Sequence, residues 1–282
     1  MRRRFHQVDV FTARPLKGNP LAVVHAAEGL GEDTMAAFAR WTNLSETTFL
    51  LPPQDAGADY RVRIFTPGGE LPFAGHPTLG SCWAWLAAGG VPKAPGVVVQ
   101  ECGVGLVRVK RQPAGAGTRL AFAAPPLRRT GPLEAELLQR ITTALGLQPA
   151  DVLHHQWVDN GPGWCAVMLK SAAQVLAVRP DWPVLGDVKL GLVGAQPAGH
   201  DSLFEVRAFV PTLGVPEDPV TGSLNAGLAQ WLVGAGLAPP AYVAAQGTAL
   251  GREGRVHVQR DETGSLWVGG DVVCCIEGDV QL

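Results

Sequence analysis

Three side chains stand out as groups that could move a proton. Glu46 lies in Asn43-Leu44-Ser45-Glu46-Thr47-Thr48-Phe49-Leu50, His76 in Glu70-Leu-Pro-Phe-Ala-Gly-His-Pro-Thr, and Asp218 in Val215-Pro-Glu-Asp-Pro-Val-Thr-Gly-Ser. A carboxylate in an apolar cleft is pushed toward neutrality and can accept and return a proton. Glu46 follows a segment that reads as a helix capped by Asp33 and precedes the strand-like Phe49-Leu50-Leu51, so it sits on a loop or strand edge. Local sequence equally allows an exposed Glu at an element boundary. A His at a helix N-terminus tends to be neutral, because the dipole disfavours the imidazolium, and can then orient a substrate. Capping or packing is the alternative role for His76. For Asp218 the alternative is turn chemistry leading into an N-cap.

Other chemistries lack their residues. His154-His155 has no third ligand at metal spacing, and no CxxC pair exists, so no metal site is expected. No GxGxxG follows a strand, so no dinucleotide cofactor is expected, and no GxSxG nucleophile elbow is present. Glu101-Cys102-Gly103 falls in a strand-turn-strand with no His nearby in sequence, which suits a buried structural Cys.

The elements that position these residues are duplicated. Residues 62–67 read Val-Arg-Ile-Phe-Thr-Pro and residues 206–211 read Val-Arg-Ala-Phe-Val-Pro. Each alternates with period two, predicting a strand with one face buried that Pro terminates. Each enters a Gly/Pro-rich loop, Gly68 to Pro77 and Thr212 to Gly222, and then a helix. Helical spacing is carried by Leu79, Trp83 and Leu86 in the first case and by Leu224, Leu228, Trp231 and Leu232 in the second. A strand, a Gly-rich turn and another strand follow each helix. Gly18-Asn-Pro-Leu-Ala-Val-Val also has a counterpart in Asn160-Gly-Pro-Gly-Trp-Cys-Ala-Val-Met. Turn residues at Ala124–Pro132 predict a boundary, giving lobes 1–125 and 126–282 with a ligand cleft between them. If both helix N-termini face that cleft, their backbone N–H groups make an anion site without Lys or Arg. Its expected ligand is a carboxylate or similar small anion.

Composition agrees with such a site. Apolar residues are 46% of the 282, enough for a large core, and charged residues only 17%, against roughly 25% in an average protein. Gly and Pro number 35 and 23, spread among apolar runs, which implies many tight turns. A net charge of −2 argues against a nucleic-acid partner, and Arg2-Arg3-Arg4 reads as a solvated terminus. Pro219 to Leu250 is uncharged, but its Gly, Pro, Asn and Gln residues break any membrane span, and the N-terminus lacks a signal-peptide stretch. The odd cysteine count of 5, irregularly spaced, suits free thiols in a reducing cytoplasm.

Taken together, these blocks resemble the PhzF family of phenazine biosynthesis-like isomerases, which shares the fold of diaminopimelate epimerase. The matching segments are Val8-Asp-Val-Phe-Thr, Gly18-Asn-Pro-Leu-Ala-Val-Val, Asn43-Leu-Ser-Glu-Thr-Thr-Phe, Arg63-Ile-Phe-Thr-Pro, Glu70-Leu-Pro-Phe-Ala-Gly-His-Pro-Thr-Leu-Gly and Glu217-Asp-Pro-Val-Thr-Gly-Ser. The resemblance implies an α+β fold of two pseudo-symmetric lobes, each a mixed or antiparallel sheet wrapped around a central helix, with the active site between lobes. It implies cofactor-free acid/base chemistry on a small carboxylate-bearing substrate, and commonly a homodimer. By motif, Glu46 is the proton shuttle, and His76 and Asp218 contact the substrate and help shape its protonation. Ser45, Gly75, Thr221, Gly222 and Ser223 are the expected substrate-binding residues. The two cysteines of diaminopimelate epimerases are absent, since Ala74-Gly75 and Thr221-Gly222 stand in their places, so two-thiol racemisation is not expected. A carboxylate-based epimerase and a non-catalytic small-anion binder are the alternatives. The sequence departs from the usual pattern at Leu224-Asn225, where a smaller residue such as Ala is commoner, and at the bulky Trp83 and Trp85.

Overall fold

The computed structural model describes residues 1–114, 117–211 and 216–282. The chain forms two compact units, Met1–Ala123 with Gly269–Leu282, and Ala124–Val268.

The first unit runs β1 (Arg2–Val10), β2 (Asn19–Val24), α1 (Glu32–Thr42), β3 (Glu46–Leu51), β4 (Tyr60–Thr66), β5 (Gly69–Leu71), α2 (Gly75–Ala87), β6 (Val97–Cys102), β7 (Gly105–Ala114) and β8 (Gly117–Ala123). Along the sheet β1–β2 is antiparallel, β2–β3 parallel, β3–β4 antiparallel, β4–β6 parallel, and β6–β7 and β7–β8 antiparallel. Parallel neighbours need a crossover. Helix α1 supplies the first and α2 the second. The short β5 folds back on β4.

The second unit runs α3 (Ala135–Leu145), β9 (Val152–Trp157), β10 (Cys165–Leu169), α4 (Ala172–Ala177), α5 (Trp182–Leu185), β11 (Leu190–Ala195), β12 (Phe204–Phe209), β13 (Glu217–Asp218), α6 (Gly222–Gly234), β14 (Ala241–Gln246), β15 (Gly254–Arg260) and then β16 (Leu266–Gly270); the chain ends in β17 (Val272–Gln281). From β9 the pairings are antiparallel to β10, parallel to β11, antiparallel to β12, parallel to β14 and antiparallel to β15. This is the same order of senses as β1-β2-β3-β4-β6-β7, with β13 on β12 as β5 is on β4. The sequence repeat is therefore a repeat of topology. The C-terminal segment breaks the division into halves at 125/126: Gly269–Leu282, which includes the end of β16 and all of β17, belongs to the first unit, and β17 pairs along its length with β1.

The central helices are buried nearly all round, as a crossover helix enclosed by its own sheet must be. In α2, Gly75 through Cys82 and Ala84 are buried; in α6, Gly222, Leu224 through Ala229, Trp231 and Leu232 are. Of the residues that carry the helical spacing, Leu79 is fully buried, and Trp83 and Leu86 are half-buried. Two glycines allow the close fit. A Cβ at Gly80 would meet Leu21, Val10 and Val8, and one at Gly227, the matching position of α6, would meet the Val158 carbonyl oxygen.

In β4 every second residue from Tyr60 to Ile64 is buried, as alternation predicts, but β12 is buried on both faces. The reason is α4, which packs over that strand; Arg207 there donates to the Val175 and Val178 carbonyls. Helix α1 also differs from expectation. Gly31 is its N-cap, and Asp33 lies inside the first turn with Glu32, where carboxylates face the positive end of the helix. Asn43 ends it in the left-handed conformation at φ 53°. Phe38 of α1 packs on Phe49 of β3, which in turn packs on Phe65 of β4, in edge-to-face contacts. Each such ring contributes about 2–3 kcal/mol by leaving water.

Candidate active site

In the first unit, Glu46 opens β3 and faces Leu21 of β2 in the parallel register. The next residues anchor it: Thr47 shares a hydrogen bond with Thr42, and Thr48 bonds the Ala22 carbonyl and accepts from Ser81 of α2. Ser45, immediately before the strand, is half-buried. Helix α2 starts at Gly75, three residues earlier than its apolar spacing suggests, so His76 lies within the first turn. Pro77 is tolerated there because that turn's N–H groups have no intrahelical acceptor. The structure brings Glu46 and His76 together: Glu46 Oε2 lies 3.4 Å from His76 Nε2, with side chains 15% and 5% exposed. At that length the contact is electrostatic rather than a formed hydrogen bond.

His76 is held neutral. Burial lowers it from 6.5 to about 3, opposed only by a hydrogen bond with the backbone of Pro20. The expected direction is right, but the leading cause is loss of water rather than the helix dipole. Asn19, the first residue of β2, lies with its amide nitrogen 3.4 Å from His76 Nδ1. Asn19 is not among the residues that the sequence motifs single out for a site. Its place in the Gly-Asn-Pro block that the repeat matches to Asn160-Gly-Pro was the available signal.

In the second unit, Asp218 ends β13, three residues before the N-cap of α6. Residues 212–215 of the preceding loop lie outside the described residues. Thr221 occupies the N-cap position but does not cap the helix with its side chain. Its hydroxyl donates to Asp218 Oδ2 at 2.6 Å instead. Gly222 and Ser223 form the first turn. Ser223 is gripped from two sides, its carbonyl accepting from Asn160 at 2.8 Å and its hydroxyl from the Trp164 indole at 3.0 Å. Asn160 thus treats Ser223 much as Asn19 treats His76, since both contact the second residue of a central helix. Beneath the turn, Asn225 and Gln246 form a fully buried amide pair at 2.7 Å. Neither was singled out as a functional residue, although a Gln ending the apolar run Ala-Tyr-Val-Ala-Ala was a visible anomaly.

Each unit carries a bidentate Arg–Glu pair at matching positions of the repeat. Arg63 of β4 makes a bidentate pair with Glu70 at 2.7 and 2.6 Å. Arg207 of β12 pairs the same way with Glu217, next to Asp218, at 2.9 and 2.8 Å. The first pair is 25% and 36% exposed, the second 5% and 8%.

The remaining candidates behave as ordinary residues. His154 is exposed, and His155 accepts from the Leu133 backbone. No cluster of three or more His, Cys, Asp or Glu side chains among the described residues could hold a metal. All five cysteines are free. Cys102 is half-buried rather than buried, because it stands at the end of β6 where the hairpin turns outward; partial burial still raises its thiol. Burial pushes Cys165 up to about 12. No helix among the described residues is long and apolar enough to cross a membrane.

A sheet wound around a buried central helix, built twice with one topology, is the two-lobed α+β fold of the epimerase-like isomerases. A sequence model described as phenazine biosynthesis-like protein matches residues 8–278. The chain is 36% identical over 290 aligned positions to antisense-enhancing sequence 1 of Schizosaccharomyces pombe, covering 97% of each. It is 35% identical over 292 positions to trans-2,3-dihydro-3-hydroxyanthranilate isomerase of Pseudomonas aeruginosa, covering 99% of each. The crystal structure of a PhzF-family phenazine biosynthesis protein from Enterococcus faecalis superposes with TM-score 0.82 at 25% identity, covering 100% of both chains. The chain belongs to the phenazine biosynthesis-like (PhzF) family, and it is an enzyme of the isomerase class.

Proposed function

We propose that the protein is a cofactor-independent isomerase that shifts a proton on a small carboxylate-bearing substrate, with Glu46 as the general acid/base. The observation that carries this reading is the neutral, buried His76 held 3.4 Å from the Glu46 carboxylate. An imidazolium there would lock Glu46 into an ion pair and hold it ionised. A neutral imidazole leaves the carboxyl group able to take a proton and give it back. One carboxylate can remove a proton from one atom and return it to another, whereas inverting a centre requires access to both faces.

The other residues follow from their chemistry. His76 orients the reacting substrate by hydrogen bonding. Asp218 contacts the substrate as a polar anchor. The first turn of α6, at Gly222 and Ser223, offers backbone N–H groups at the positive end of a 13-residue helix, which suits the substrate carboxylate. Gly75 does the same in α2, and Ser45 and Thr221 complete the set. The named substrate of the Pseudomonas aeruginosa relative, trans-2,3-dihydro-3-hydroxyanthranilate, is a small carboxylate of the required kind and is the first compound to try.

The test is turnover in D2O followed by NMR of the recovered compound. Deuterium at a carbon position, lost in Glu46→Gln by about 10²-fold or more with fold and ligand affinity retained, supports the reading. Undiminished turnover in Glu46→Gln would falsify it. Tight binding without exchange, across a panel of such carboxylates, would instead indicate an anion-binding protein.

A further inference from the structure

Gln246 satisfies all four hydrogen-bonding positions of its amide, and every one of them goes to the Asp218–Asn225 segment. Its Oε1 accepts from the Thr221 backbone N–H at 3.1 Å and from Asn225 Nδ2 at 2.7 Å. Its Nε2 donates to the Asp218 backbone carbonyl at 3.1 Å and to Thr221 Oγ1 at 3.0 Å. The orientation of this amide is forced. A backbone N–H can only donate, so the atom facing Thr221 N must be the oxygen. A backbone carbonyl can only accept, so the atom facing Asp218 O must be the nitrogen. Asn225 is fixed in the same way, because its Nδ2 also donates to the Thr221 carbonyl at 2.9 Å.

The forced amide has a directional consequence. A threonine hydroxyl has one proton. Thr221 Oγ1 is already receiving a proton from Gln246 Nε2, so its own proton points elsewhere. It goes to Asp218 Oδ2, 2.6 Å away, a length typical of a hydroxyl bonded to an ionised carboxylate. We infer that Gln246 is a positioning residue for Asp218, acting through Thr221: its amide takes one lone pair of the Thr221 hydroxyl and turns that hydroxyl's proton toward Asp218. This rests on the reading of Asp218 as a substrate-contacting group.

The first unit contains a related chain that ends differently. Tyr60 donates to Gln100 Oε1 at 2.8 Å, Gln100 Nε2 donates to Thr78 Oγ1 at 3.0 Å, and Thr78 donates to the Ala74 carbonyl at 2.9 Å. There the directed proton ends on backbone and serves the fold of α2. Gln246 faces Val206 where Gln100 faces Tyr60, two positions apart in the repeat and so on the same face of the strand. In the second unit the directed proton ends on a carboxylate.

The test compares Gln246→Met, in β14, with Gln230→Met, which makes the same side-chain change on α6, where Gln230 bonds the Pro125 and Ala226 carbonyls. The first readout is NMR of threonine-labelled protein. Wild type should show a slowly exchanging hydroxyl proton that disappears in Thr221→Val. Its exchange should accelerate at least about tenfold in Gln246→Met and be unmoved in Gln230→Met, because loss of the Nε2 donor frees the hydroxyl to rotate. The second readout is kcat/KM on trans-2,3-dihydro-3-hydroxyanthranilate, expected to fall about 10- to 100-fold in Gln246→Met, the range for a hydrogen bond to a charged group. A folded Gln246→Met protein that keeps the protected hydroxyl overturns the inference, as does wild type without such a proton. If Gln246→Met does not fold, Thr221→Ser and Thr221→Val decide: turnover kept in Ser and lost in Val supports it, and equal loss refutes it. A wild-type enzyme inert on this compound counts against that compound as the substrate, and one inert across the carboxylate panel counts against the functional reading, while the hydroxyl readout still judges the positioning.

Discussion

Lowering the pH from 7 to 5 should destabilise the protein through His76, and the size of the effect follows from its burial. In the unfolded chain His76 titrates near 6.5, whereas in the folded protein burial lowers it to about 3. A group whose folded value is depressed contributes stability that is present above the unfolded value and is lost as pH falls toward the folded one. At pH 5 the unfolded imidazole is almost fully protonated and the folded one is not. Proton binding therefore favours the unfolded chain by about 2 kcal/mol more at pH 5 than at pH 7. His76→Gln removes this contribution. His25, lowered to about 4, and His6, also lowered, pull in the same direction but are common to both proteins and cancel in the comparison. Urea unfolding of wild type and His76→Gln at the two pH values measures the difference. Wild type should lose about 2 kcal/mol more than the variant between pH 7 and pH 5. Parallel losses, or an imidazole NMR signal for His76 that titrates near 6.5 in the folded protein, would refute the claim that His76 is neutral and undercut the role given to Glu46.

Further outcomes follow from the duplicated architecture. Arg207→Met should cost about 3–5 kcal/mol by urea unfolding, because it strands Glu217 as a buried unpaired charge, while Arg207→Met with Glu217→Leu should recover much of the loss. At the matching position Arg63→Met should cost under about 1 kcal/mol, since the Arg63–Glu70 pair is more exposed and screened by water. Gly227→Ala should destabilise by about 2–3 kcal/mol, because its Cβ meets the Val158 carbonyl, and backbone cannot yield as the side chains around Gly80 can. Thermal melts showing Gly80→Ala as the more harmful of the two would contradict that packing argument.

Local patterns in the sequence carried much of this architecture. Val-Arg-Ile-Phe-Thr-Pro and Val-Arg-Ala-Phe-Val-Pro are readable as strands because alternation and Pro act over a few residues. The same blocks placed His76 at the start of a helix and Glu46 at a strand edge, where the structure has them. What escaped depends on distant packing. Nothing near Val272–Gln281 indicates that this strand returns to β1, since that pairing joins the two ends of the chain. The spacing of Leu79, Trp83 and Leu86 marks a helix but not its burial, because a helix enclosed by its own sheet buries its small residues as well and leaves Trp83 and Leu86 half-buried. Gln246 is invisible as a partner of Thr221 because 25 residues separate them.

The repeat also explains how one fold can carry two kinds of polar site. Both units keep the Arg–Glu clamp, the crossover helix, the helix glycine at a tight contact and an Asn beside the helix start. These shared features are the ones that build and aim a helix N-terminus. The differences lie at the helix starts and in the strands next to them. Ala74 cannot direct a proton, and the polar groups beside it are the buried His76 and the Glu46 carboxylate of β3. Thr221 can direct one, and its direction is set by Gln246 toward Asp218. On the proposed reading, the first unit holds the movable proton of Glu46 and the second the directed proton of Thr221. Exchanging those residues, for instance Thr221→Ala, should leave the clamp and the helix intact and remove the directed bond to Asp218 together with the bond from Gln246. That makes the second unit's chemistry separable from its stability, with a loss of no more than about 1–2 kcal/mol in unfolding free energy expected for the missing hydroxyl. A Thr221→Ala protein that fails to fold would mean the polar network is structural after all.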